Sequence, residues 1–521
     1  MAGSNELTGP DLSEGVDAAS IERGGALLGH ASGEAVLLVR PATGGGSDFC
    51  AIAATCTHYG GPLAEGLFDG DTVRCPWHHA CFNVRTGEAL HAPALSPVAR
   101  WATELRDGKV VVTGKFERDP LAPSGSASFT RDPSIRNVVI VGAGAAGSAA
   151  AEMLRRCGHD GAITMVDSDD AAPYDRPNLS KDYLAGNAPE EWIPLRPDDF
   201  YRGHGIEVVR SRVKRIDTSR KQIELENREP LTYDALLLAT GAEPVRLDTP
   251  GGNLPHVRYL RTLADSRAII AAAEKARHAV VVGSSFIGLE VAASLRARNV
   301  GVDVVAPETL PLGRVLGDHL GTFIKGLHEE HGVVFHLGHT AQRIEEDAVV
   351  LDDGTRLPAD LVVFGVGVKP RLVLAEDAGL NMDKGVVVDE FLRTSAASVY
   401  AAGDIARWPD PHTGDRIRVE HWVVAQRQGQ AAARNMLGAH EPFDAVPFFW
   451  SAHYDISINY VGHAEKWDKV EVSGKAAKHD VAVRFLRGGQ LLALATLFRD
   501  EESLKGEFDM ERQTGAVAGA R

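Results

Sequence analysis

Two short stretches of this 521-residue chain combine cysteine and histidine at close spacing. Cys56 and His58 stand in CTHYGGPL, and Cys75 and His78 stand in CPWHHACF, with sixteen residues between His58 and Cys75. Thiolate and neutral imidazole are both metal ligands, and each stretch supplies one of each. The neighbouring glycines and prolines indicate that both stretches are loops. The four residues therefore predict a metal site held by two loops.

The alternation of ligand types favours an iron–sulfur cluster over a zinc ion. A Rieske 2Fe-2S centre binds one iron through two cysteines and the other through two histidines. Zinc fingers also use two cysteines and two histidines, but usually one short motif holds both cysteines and another holds both histidines. We therefore predict that Cys56, His58, Cys75 and His78 bind a Rieske cluster. His79 could replace His78, but the spacing favours His78 and leaves His79 as an expected solvated loop residue.

A glycine-rich turn after an apolar run predicts a first dinucleotide site. Gly142, Gly144 and Gly147 follow the strand-like run NVVIV and precede an alanine-rich stretch of helical character. Such a turn lets the backbone approach a pyrophosphate and places it at a helix N-terminus. Asp167 ends the next strand-like run, AITMVD, where an acid accepts a hydrogen bond from the adenosine ribose.

A second turn of the same kind has a serine at its middle position. This turn is formed by Gly283, Ser285 and Gly288. With serine at the middle position the backbone approaches a pyrophosphate less closely, but the turn is still possible. Where an acid usually ends the following strand, the sequence has Ala306, with Glu308 two residues later. No arginine stands beside them to bind a 2′-phosphate, so the pattern favours NADH, with NADPH left open.

The elements that must position these residues change character along the chain. Up to residue 115, short alternating strand-like runs predict a small all-β domain after a flexible polar tail. Residues 117–134 are rich in proline, serine and charge, as in an extended linker. From residue 135, strands lead into glycine turns and alanine-rich helices twice, which predicts two Rossmann-like α/β folds. The last eighty residues favour an α+β unit.

Composition excludes several classes of function. The net charge is -16 and the pI about 5.7, which argues against nucleic-acid binding. No run of eighteen apolar residues predicts a membrane span, and the polar N-terminus is unlike a signal peptide, so we expect a cytoplasmic protein. Four of the five cysteines lie within 32 residues, which does not fit a disulfide-stapled secreted protein.

Three segments resemble FAD-contact segments of the ferredoxin-reductase and apoptosis-inducing-factor flavoproteins, in the same order. They are PYDRPNLSKDYL at 173–184, LLLATGAEP at 236–244 and VYAAGDIA at 399–406. The resemblance implies that Arg176 and Lys181 lie by the flavin ring and that Asp404 binds the ribityl chain. It also implies FAD contacts by Thr240, Gly241, Glu420, His421 and Trp422.

The same resemblance extends to two further positions. Glu290 is similar to a family glutamate that faces Lys181 and touches the nicotinamide amide, so both residues are catalytic candidates. Trp450, in PFFWSAHYD, is similar to a tryptophan near the flavin. Ala452 and His453 depart from the usual family sequence FWSDQ, so a flavin contact cannot be carried over to that pair from the resemblance.

The cysteine pattern separates this chain from two related classes. Respiratory Rieske proteins carry a second cysteine in each loop, and those places hold Gly61 and Trp77 here. The domain therefore resembles the ferredoxin type of aromatic-ring dioxygenase systems. Disulfide reductases place two cysteines after the FAD turn, but only Cys157 occurs between Gly142 and Tyr183.

About residues 20–515 resemble the Rieske-containing apoptosis-inducing-factor branch and bacterial fusions of a Rieske ferredoxin with a ferredoxin reductase. The resemblance implies the following division of the chain: a tail at 1–18, a Rieske domain at 19–115, a linker at 116–134, an FAD-binding domain at 135–250 and 371–441, an NAD(P)H-binding domain at 251–370 and a C-terminal reductase domain at 442–521.

The implied function is electron transfer from NADH through FAD to the chain's own Rieske cluster. From there electrons would pass to a partner protein, such as a terminal oxygenase or another iron protein. Because a Rieske cluster exchanges electrons through its imidazole edge, we expect the histidine ligands at an exposed tip. A redox-sensing signalling protein is the alternative. A self-contained oxygenase is disfavoured, because no D/E-x2-H-x4-H spacing for a mononuclear iron occurs outside the cluster loops. A monomer and a dimer both stay open.

Overall fold

The computed structural model describes residues 7–45, 48–122 and 129–518, with side chains up to residue 513. An N-terminal β domain is followed by two parallel-sheet α/β folds and a C-terminal α+β unit. This order confirms the predicted fold class. Within these residues, no helix is both long and apolar enough to cross a membrane.

The N-terminal β domain has two small cores because the strand Glu34–Val39 is apolar on both faces. Successive side chains of a strand point to opposite faces, so Leu37 packs beneath the cluster loops and Leu38 packs into the other core. The larger antiparallel sheet has the order Val16–Asp17, Lys109–Phe116, Arg100–Arg106, Cys50–Ala53, Glu34–Val39 and Ala26–Ala31. The smaller antiparallel sheet has the order Leu67–Asp69, Thr72–Arg74, Cys81–Asn83 and Ala89–His91, and short 3-10 helices lie at Ala18–Ser20 and Leu63–Glu65.

The expected flexible tail at 1–18 is wrong for residues 11–17. Leu12 is fully buried, and Val16–Asp17 pairs with Val110 and Lys109 at the edge of the larger sheet. A two-residue strand and one buried leucine leave no periodic signal in a polar sequence, so only the tertiary contacts reveal them. Residues 1–6 lie outside the described part of the chain.

The described parts of the predicted linker at 116–134 pack against the first α/β fold. Leu121 is 3 % exposed and belongs to the core of the first α/β fold. Farther along, the Asp132 amide donates to the Leu437 carbonyl at 2.9 Å. The connection is therefore anchored on both sides of residues 123–128, which lie outside the described chain.

The first α/β fold is built on a five-stranded parallel sheet whose strands are almost wholly apolar, as expected for a sheet covered on both faces. Gly429 permits close packing of its two long helices, since a Cβ there would lie 2.1 Å from the Ala146 carbonyl oxygen. The sheet order is Ile206–Arg210, Ala162–Asp167, Asn137–Val141, Ala235–Leu238 and Val399–Ala401. Two three-stranded sheets accompany it, formed by Val213–Asp217, Gln222–Leu225 and Leu231–Thr232, and by Val386–Val387, Ala406–Pro409 and Arg416–Ile417. Its α-helices are Ala145–Arg156, Asp182–Ala185, Phe200–Gly203, Val373–Asp377 and Trp422–Met436, and its 3-10 helices are Arg176–Ser180, Glu190–Trp192 and Gly403–Ile405.

The second α/β fold is inserted into the first, and an antiparallel pair, Ala242–Pro244 with Val368–Pro370, joins them. Its parallel sheet has the order Val257–Tyr259, Leu361–Phe364, His278–Val282, Gly301–Ala306 and Val333–Leu337. An antiparallel sheet of Ala341–Ile344, Ala348–Leu351 and Arg356–Pro358 flanks it, and its helices are Leu263–Ala273, Phe286–Ala297 and Gly313–Glu330.

The C-terminal unit is an antiparallel sheet followed by a long helix. The sheet order is Phe448–His453, Ile456–Gly462, Gln490–Leu497, Asp480–Arg487 and Lys469–Lys475, with a 3-10 helix at Ala476–Lys478. The helix Asp500–Ala518 returns to the N-terminal β domain, so the two ends of the chain meet.

Candidate functional site

The two cluster loops have the same hydrogen-bonded form. In each loop the cysteine amide donates to a carbonyl five residues later, from Cys56 to Gly61 and from Cys75 to Ala80, both at 2.8 Å. This fold buries both thiols and turns the two histidines toward each other, so that the His58 and His78 ring centroids lie 5.0 Å apart. The structure thus brings the four predicted ligands together.

The donor set fits a 2Fe-2S cluster. Nδ1 of His58 is buried and has no hydrogen-bond partner among the described residues, as expected of a nitrogen that binds iron. Cys56 and Cys75 lie in one small core, and all five cysteines are free. A Cβ on Gly61 would lie 2.6 Å from Sγ of Cys75, so the loops leave no room for an additional cysteine at this place.

His58 and His78 face the rest of the protein and are half-buried, so they do not form the expected exposed tip. The Trp450 ring lies 4.3 Å from His78 and 6.0 Å from His58, measured between centroids. Tyr59 stacks on His58 at 3.8 Å and donates a hydrogen bond to Asp175 of the first α/β fold. The sequence of the loops could not show that another domain covers the imidazole edge.

His79 is not a solvated loop residue, because the C-terminal helix covers it. It is fully buried, stacks on Phe448, and its Nδ1 lies 2.7 Å from Glu507. Glu507 also accepts from Arg427 at 2.6 Å and lies 3.7 Å from Arg74. Burial would raise the pKa of Glu507, but Arg427 and His79 outweigh it and hold that pKa well below its usual value. This buried charge cluster joins three parts of the chain that are distant in sequence.

A cavity of about 1550 Å³ adjoins the cluster site on the other side of Trp450. It begins at the first glycine turn and extends to the helix that follows the second turn. Most of the predicted cofactor residues line it, namely Gly142, Gly144, Asp167, Arg176, Lys181, Thr240, Gly241, Ser285, Glu290, Asp404, Glu420, His421, Trp422 and Trp450. Gly147, Gly283, Gly288 and Glu308 do not line it.

The first glycine turn has the close contacts that a nucleotide turn requires. Gly142 has φ of 104°, a region that favours glycine, and a Cβ on Gly147 would lie 1.9 Å from the Gly142 carbonyl oxygen. A Cβ on Gly144 would meet only the Arg176 guanidinium at 3.9 Å, so this position is open toward the cavity. Asp167 accepts from the Ala143 amide at 2.7 Å and so fixes the turn. A pyrophosphate of FAD fits here.

The second turn is stabilised by its serine. Ser285 Oγ accepts from the Gly288 amide at 3.2 Å and donates to the Gly365 carbonyl at 2.6 Å. Ser285 is therefore the N-cap of the helix Phe286–Ala297, with a side-chain hydrogen bond that a glycine could not make. Ala306 ends its strand and is fully buried, and Glu308 is half-buried outside the cavity.

Lys181 and Glu290 meet at the border of the cavity. Nζ of Lys181 donates to Glu290 at 2.9 Å, and the hydroxyls of Ser180 and Ser451 donate to the same carboxylate at 2.5 Å and 2.6 Å. Glu290 is 4 % exposed, so it is not an ordinary carboxylate of a helix surface. The ion pair lies beside Trp450, whose ring centroid is 5.9 Å from Nζ.

Two arginines in this cavity escaped sequence reasoning. Arg261 donates to Asp404 at 2.7 Å, and Arg418 donates to Glu420 at 2.6 Å. Neither stands in a recognisable motif, so no signal in the sequence pointed to them.

His421 is neutral, since burial lowers its pKa to about 3, and its buried Nδ1 has no partner among the described residues. An unpaired polar atom at the cavity fits a site for a polar ring system such as a flavin.

Comparison with known families decides the class of the chain. Residues 136–429 match the pyridine nucleotide-disulphide oxidoreductase family, residues 16–102 match the Rieske [2Fe-2S] domain, and residues 448–514 match the reductase C-terminal family. The chain belongs to the pyridine nucleotide-disulphide oxidoreductase family. As a member of this family it is an FAD oxidoreductase that uses NADH, and its Rieske domain indicates a 2Fe-2S cluster.

Two curated relatives and one solved structure show what this pyridine nucleotide-disulphide oxidoreductase is similar to. Apoptosis-inducing factor 3 of Homo sapiens is 33 % identical over 89 % of this chain and 78 % of its own length. Putidaredoxin reductase CamA of Pseudomonas putida is 37 % identical over 70 % of this chain and 89 % of its own length. The structure of a covalent putidaredoxin reductase–putidaredoxin complex matches at 35 % identity with a TM-score of 0.71, over 73 % of this chain and 94 % of that chain. The chain is therefore a ferredoxin-reductase-like oxidoreductase with a Rieske domain.

Proposed function

We propose that the protein takes electrons from NADH and passes them through FAD to its own Rieske cluster, and from there to an acceptor protein. The observation that carries this proposal is the position of Trp450. This side chain lines the cavity and contacts His78 at 4.3 Å between ring centroids. A flavin bound in the cavity beside Trp450 would therefore have the cluster site on the other side of this ring.

The chain's own residues would hold each cofactor in place. Bound FAD supplies the chemistry that converts a two-electron hydride donor into a one-electron supply. The first glycine turn with Asp167 would bind its nucleotide half, and Arg176, Thr240, Gly241 and Asp404 would line the rest of the molecule. Glu420, His421 and Trp422 would contact the pyrimidine edge. Cys56, His58, Cys75 and His78 would bind the cluster.

Lys181 and Glu290 are the proposed catalytic pair. Their ion pair lies where the first and second α/β folds adjoin, and the cavity extends from there to Ser285 and Phe286. A buried carboxylate with three hydrogen-bond donors is held in one orientation, which suits the positioning of a nicotinamide amide. The second turn with Gly283, Ser285 and Gly288, together with Glu308, would bind the nucleotide half of NADH. The missing acid at Ala306 makes the preference over NADPH modest.

The proposed acceptor is a separate iron protein, such as a terminal oxygenase. Putidaredoxin reductase is known in a covalent complex with putidaredoxin, which supports a protein as the electron acceptor. The proposed division of labour along the chain is a Rieske domain to residue 115, an anchored linker to 134, an FAD-binding domain at 135–250 and 371–441, an NAD(P)H-binding domain at 251–370 and a C-terminal domain from 442.

The Cys56→Ser variant tests the order of the two cofactors. We expect it to lose the cluster and keep FAD, to reduce the flavin with NADH at the wild-type rate, and to lose electron delivery to an iron-protein acceptor. Stopped-flow absorbance follows flavin and cluster separately. Delivery at the wild-type rate without a cluster would show that the cluster is not on the path. A signalling protein with a redox sensor would instead show slow steady-state turnover with ferricyanide in the wild type.

A further inference from the structure

A chain of buried polar side chains leads from Glu290 toward the protein surface. Ser451 Oγ lies 2.6 Å from Glu290, and Nε2 of His453 lies 3.1 Å from the same hydroxyl. Nδ1 of His453 is 3.2 Å from Nε2 of His328, and Nδ1 of His328 is 3.3 Å from the Tyr454 hydroxyl. Each side chain thus links the one before it to the one after it.

The elements explain why these groups align. Ser451 and His453 alternate by two on the strand Phe448–His453, so both point to the same face. Tyr454 follows in the tight turn to the strand Ile456–Gly462, and His328 comes from the last turn of the helix Gly313–Glu330. Three of the groups are at most 1 % exposed, namely Ser451, His453 and His328.

The outer end of the chain reaches the surface. Tyr454 is only half-buried, and its ring stacks at 3.6 Å on His331, which is exposed. The inner end borders the cavity, because Glu290 lines it and pairs with Lys181. The chain therefore spans the distance between the candidate flavin site and water.

The hydrogen bonds have a single consistent direction when Glu290 is ionised. A carboxylate only accepts, so Ser451 donates to Glu290 and must accept from Nε2–H of His453. Nδ1 of His453 then accepts from Nε2–H of His328. Tyr454 donates in turn to Nδ1 of His328. Both histidines carry their proton on Nε2 in this arrangement.

A second arrangement satisfies the same atoms when Glu290 is protonated. Glu290 then donates to Ser451, Ser451 donates to Nε2 of His453, and both histidines carry their proton on Nδ1. His328 now donates to the Tyr454 oxygen. Conversion of the second arrangement into the first shifts each proton by one hydrogen bond, takes one proton from Glu290 and releases one from the Tyr454 hydroxyl to water.

We propose that Glu290, Ser451, His453, His328 and Tyr454 form a proton conduit between the flavin site and the solvent. The proposal rests on the hydride step of the proposed function. A hydride from NADH carries two electrons and one proton, whereas one-electron acceptors remove electrons only. One proton per NADH is therefore left at the site and leaves through Glu290 and the chain to water.

Charge and burial around the chain agree with this role. Burial lowers the pKa of His453 to about 3, and it also holds the pKa of His328 well below its usual value, so both imidazoles are neutral. A neutral imidazole can donate from one nitrogen while it accepts at the other. The charged groups that face the chain are Lys181 at the inner end and Arg296 near Tyr454.

Proton release in the holoenzyme tests the conduit without depending on the cluster. NADH is mixed with ferricyanide in weak buffer, and a pH-indicator dye records the release of one proton per NADH. We expect Tyr454→Phe and His453→Gln to release the proton at least tenfold more slowly, with flavin reduction by NADH within twofold of wild type. His331→Phe keeps the stacked ring outside the chain and is the matched control. Wild-type proton release in both variants would overturn the proposal, and a delay in His453→Gln alone would exclude the route through Tyr454.

A spectroscopic signature separates a conduit from a merely structural network. Redox-difference infrared spectra of holoenzyme with isotope-labelled histidine report the tautomer of neutral imidazoles. We expect histidine bands to change between the oxidised and the NADH-reduced protein and the change to disappear in Ser451→Ala. Because Tyr454→Phe keeps the ring at a half-buried position, it should fold normally. If Ser451→Ala left the redox-dependent change of the histidine bands intact, the proposal would be overturned. This outcome does not depend on whether electrons reach the cluster.

Discussion

Among single residues, Asp175 is a buried carboxyl group at the contact between the first α/β fold and the Rieske domain. It is 6 % exposed and accepts a hydrogen bond from Tyr59 of the Rieske domain. Burial raises the pKa of Asp175 to about 6, and the contacts with Tyr59 and Lys181 offset only part of that effect. Ionised Asp175 therefore costs the native state free energy at neutral pH.

The Asp175→Asn variant should be more stable than wild type at pH 7. A folded-state pKa above the ordinary 3.8 means that the stabilisation by this group is complete below about pH 4 and is lost as pH rises through about 6. Since one pKa unit corresponds to about 1.4 kcal/mol, the penalty at pH 7 is about 3 kcal/mol. Thermal unfolding from pH 4 to 8 measures it. The control is Asp377→Asn, which changes an exposed carboxylate. Equal pH profiles for Asp175→Asn and wild type would contradict a raised pKa of Asp175 in the folded protein.

Glu290→Gln should slow flavin reduction by NADH about tenfold or more while the FAD content stays normal. The amide keeps the shape of the side chain but removes the charge that pairs with Lys181, and hydrogen bonds to charged groups contribute about 1.5–3 kcal/mol. Single-turnover stopped flow at 450 nm measures the rate. Because the cluster also absorbs there, the variant and the wild type must first be shown to contain the same amount of cluster. Glu274→Gln, an exposed carboxylate of the same fold, is the control. An unchanged rate would remove Glu290 from the catalytic pair.

At the scale of elements, the C-terminal helix Asp500–Ala518 holds the Rieske domain in place. Its Glu507 is fully buried among Arg427, His79 and Arg74, and its Glu511 pairs with Arg74 at 2.5 Å. Arg427 belongs to the helix Trp422–Met436 of the first α/β fold, and Arg74 and His79 belong to the Rieske domain. One glutamate therefore balances positive charge from two domains.

Glu507→Ala should destabilise the protein by about 3–5 kcal/mol, because removal of one partner leaves buried charges without compensation. Chemical denaturation followed by both flavin fluorescence and tryptophan fluorescence would measure the loss and show whether the domains separate first. Glu501→Ala on the same helix removes an exposed carboxylate that pairs with Lys505 and should change stability by less than about 1 kcal/mol. Equal effects of the two substitutions would show that the buried cluster does not hold the domains together.

At the scale of the whole molecule, we expect surface charge and domain docking to affect different steps of the proposed electron transfer. Residues 1–115 contain thirteen Asp and Glu against eight Lys and Arg, so the Rieske domain is acidic. An acidic surface attracts a basic partner by long-range steering, whose reach falls from about 10 Å at 0.1 M salt to about 3 Å at 1 M. The proposed transfer from flavin to cluster should behave differently, because Trp450 and the buried charge cluster already hold the two candidate sites relative to each other.

Rising ionic strength should therefore slow turnover with a basic acceptor protein such as cytochrome c and leave flavin-to-cluster transfer nearly unchanged. Steady-state rates and stopped-flow traces between about 0.05 and 1 M salt measure the two steps. Ferricyanide, a small anion, is the control, since salt should raise its rate or leave it unchanged. A salt-independent rate with the basic acceptor would mean that the acidic residues are only a solvated surface.

The sequence by itself determined the chemistry that depends on short spacing. The four candidate cluster ligands, the two glycine turns and Asp167 each depend on neighbours within one loop or one strand–turn–helix unit, so the local pattern is sufficient to predict them. The order of the domains follows for the same reason, because each has its own periodicity and turn residues.

Only the tertiary structure decided how these sites face each other. His79 and Glu507 are more than four hundred residues apart, and no local pattern tells that a C-terminal helix covers the cluster loop. Arg261 and Asp404, or His328 and His453, likewise become neighbours only when separate elements pack. Contacts between distant elements depend on complementary shape and charge, which a single sequence does not display, and these contacts turn the half-buried rings of His58 and His78 toward Trp450.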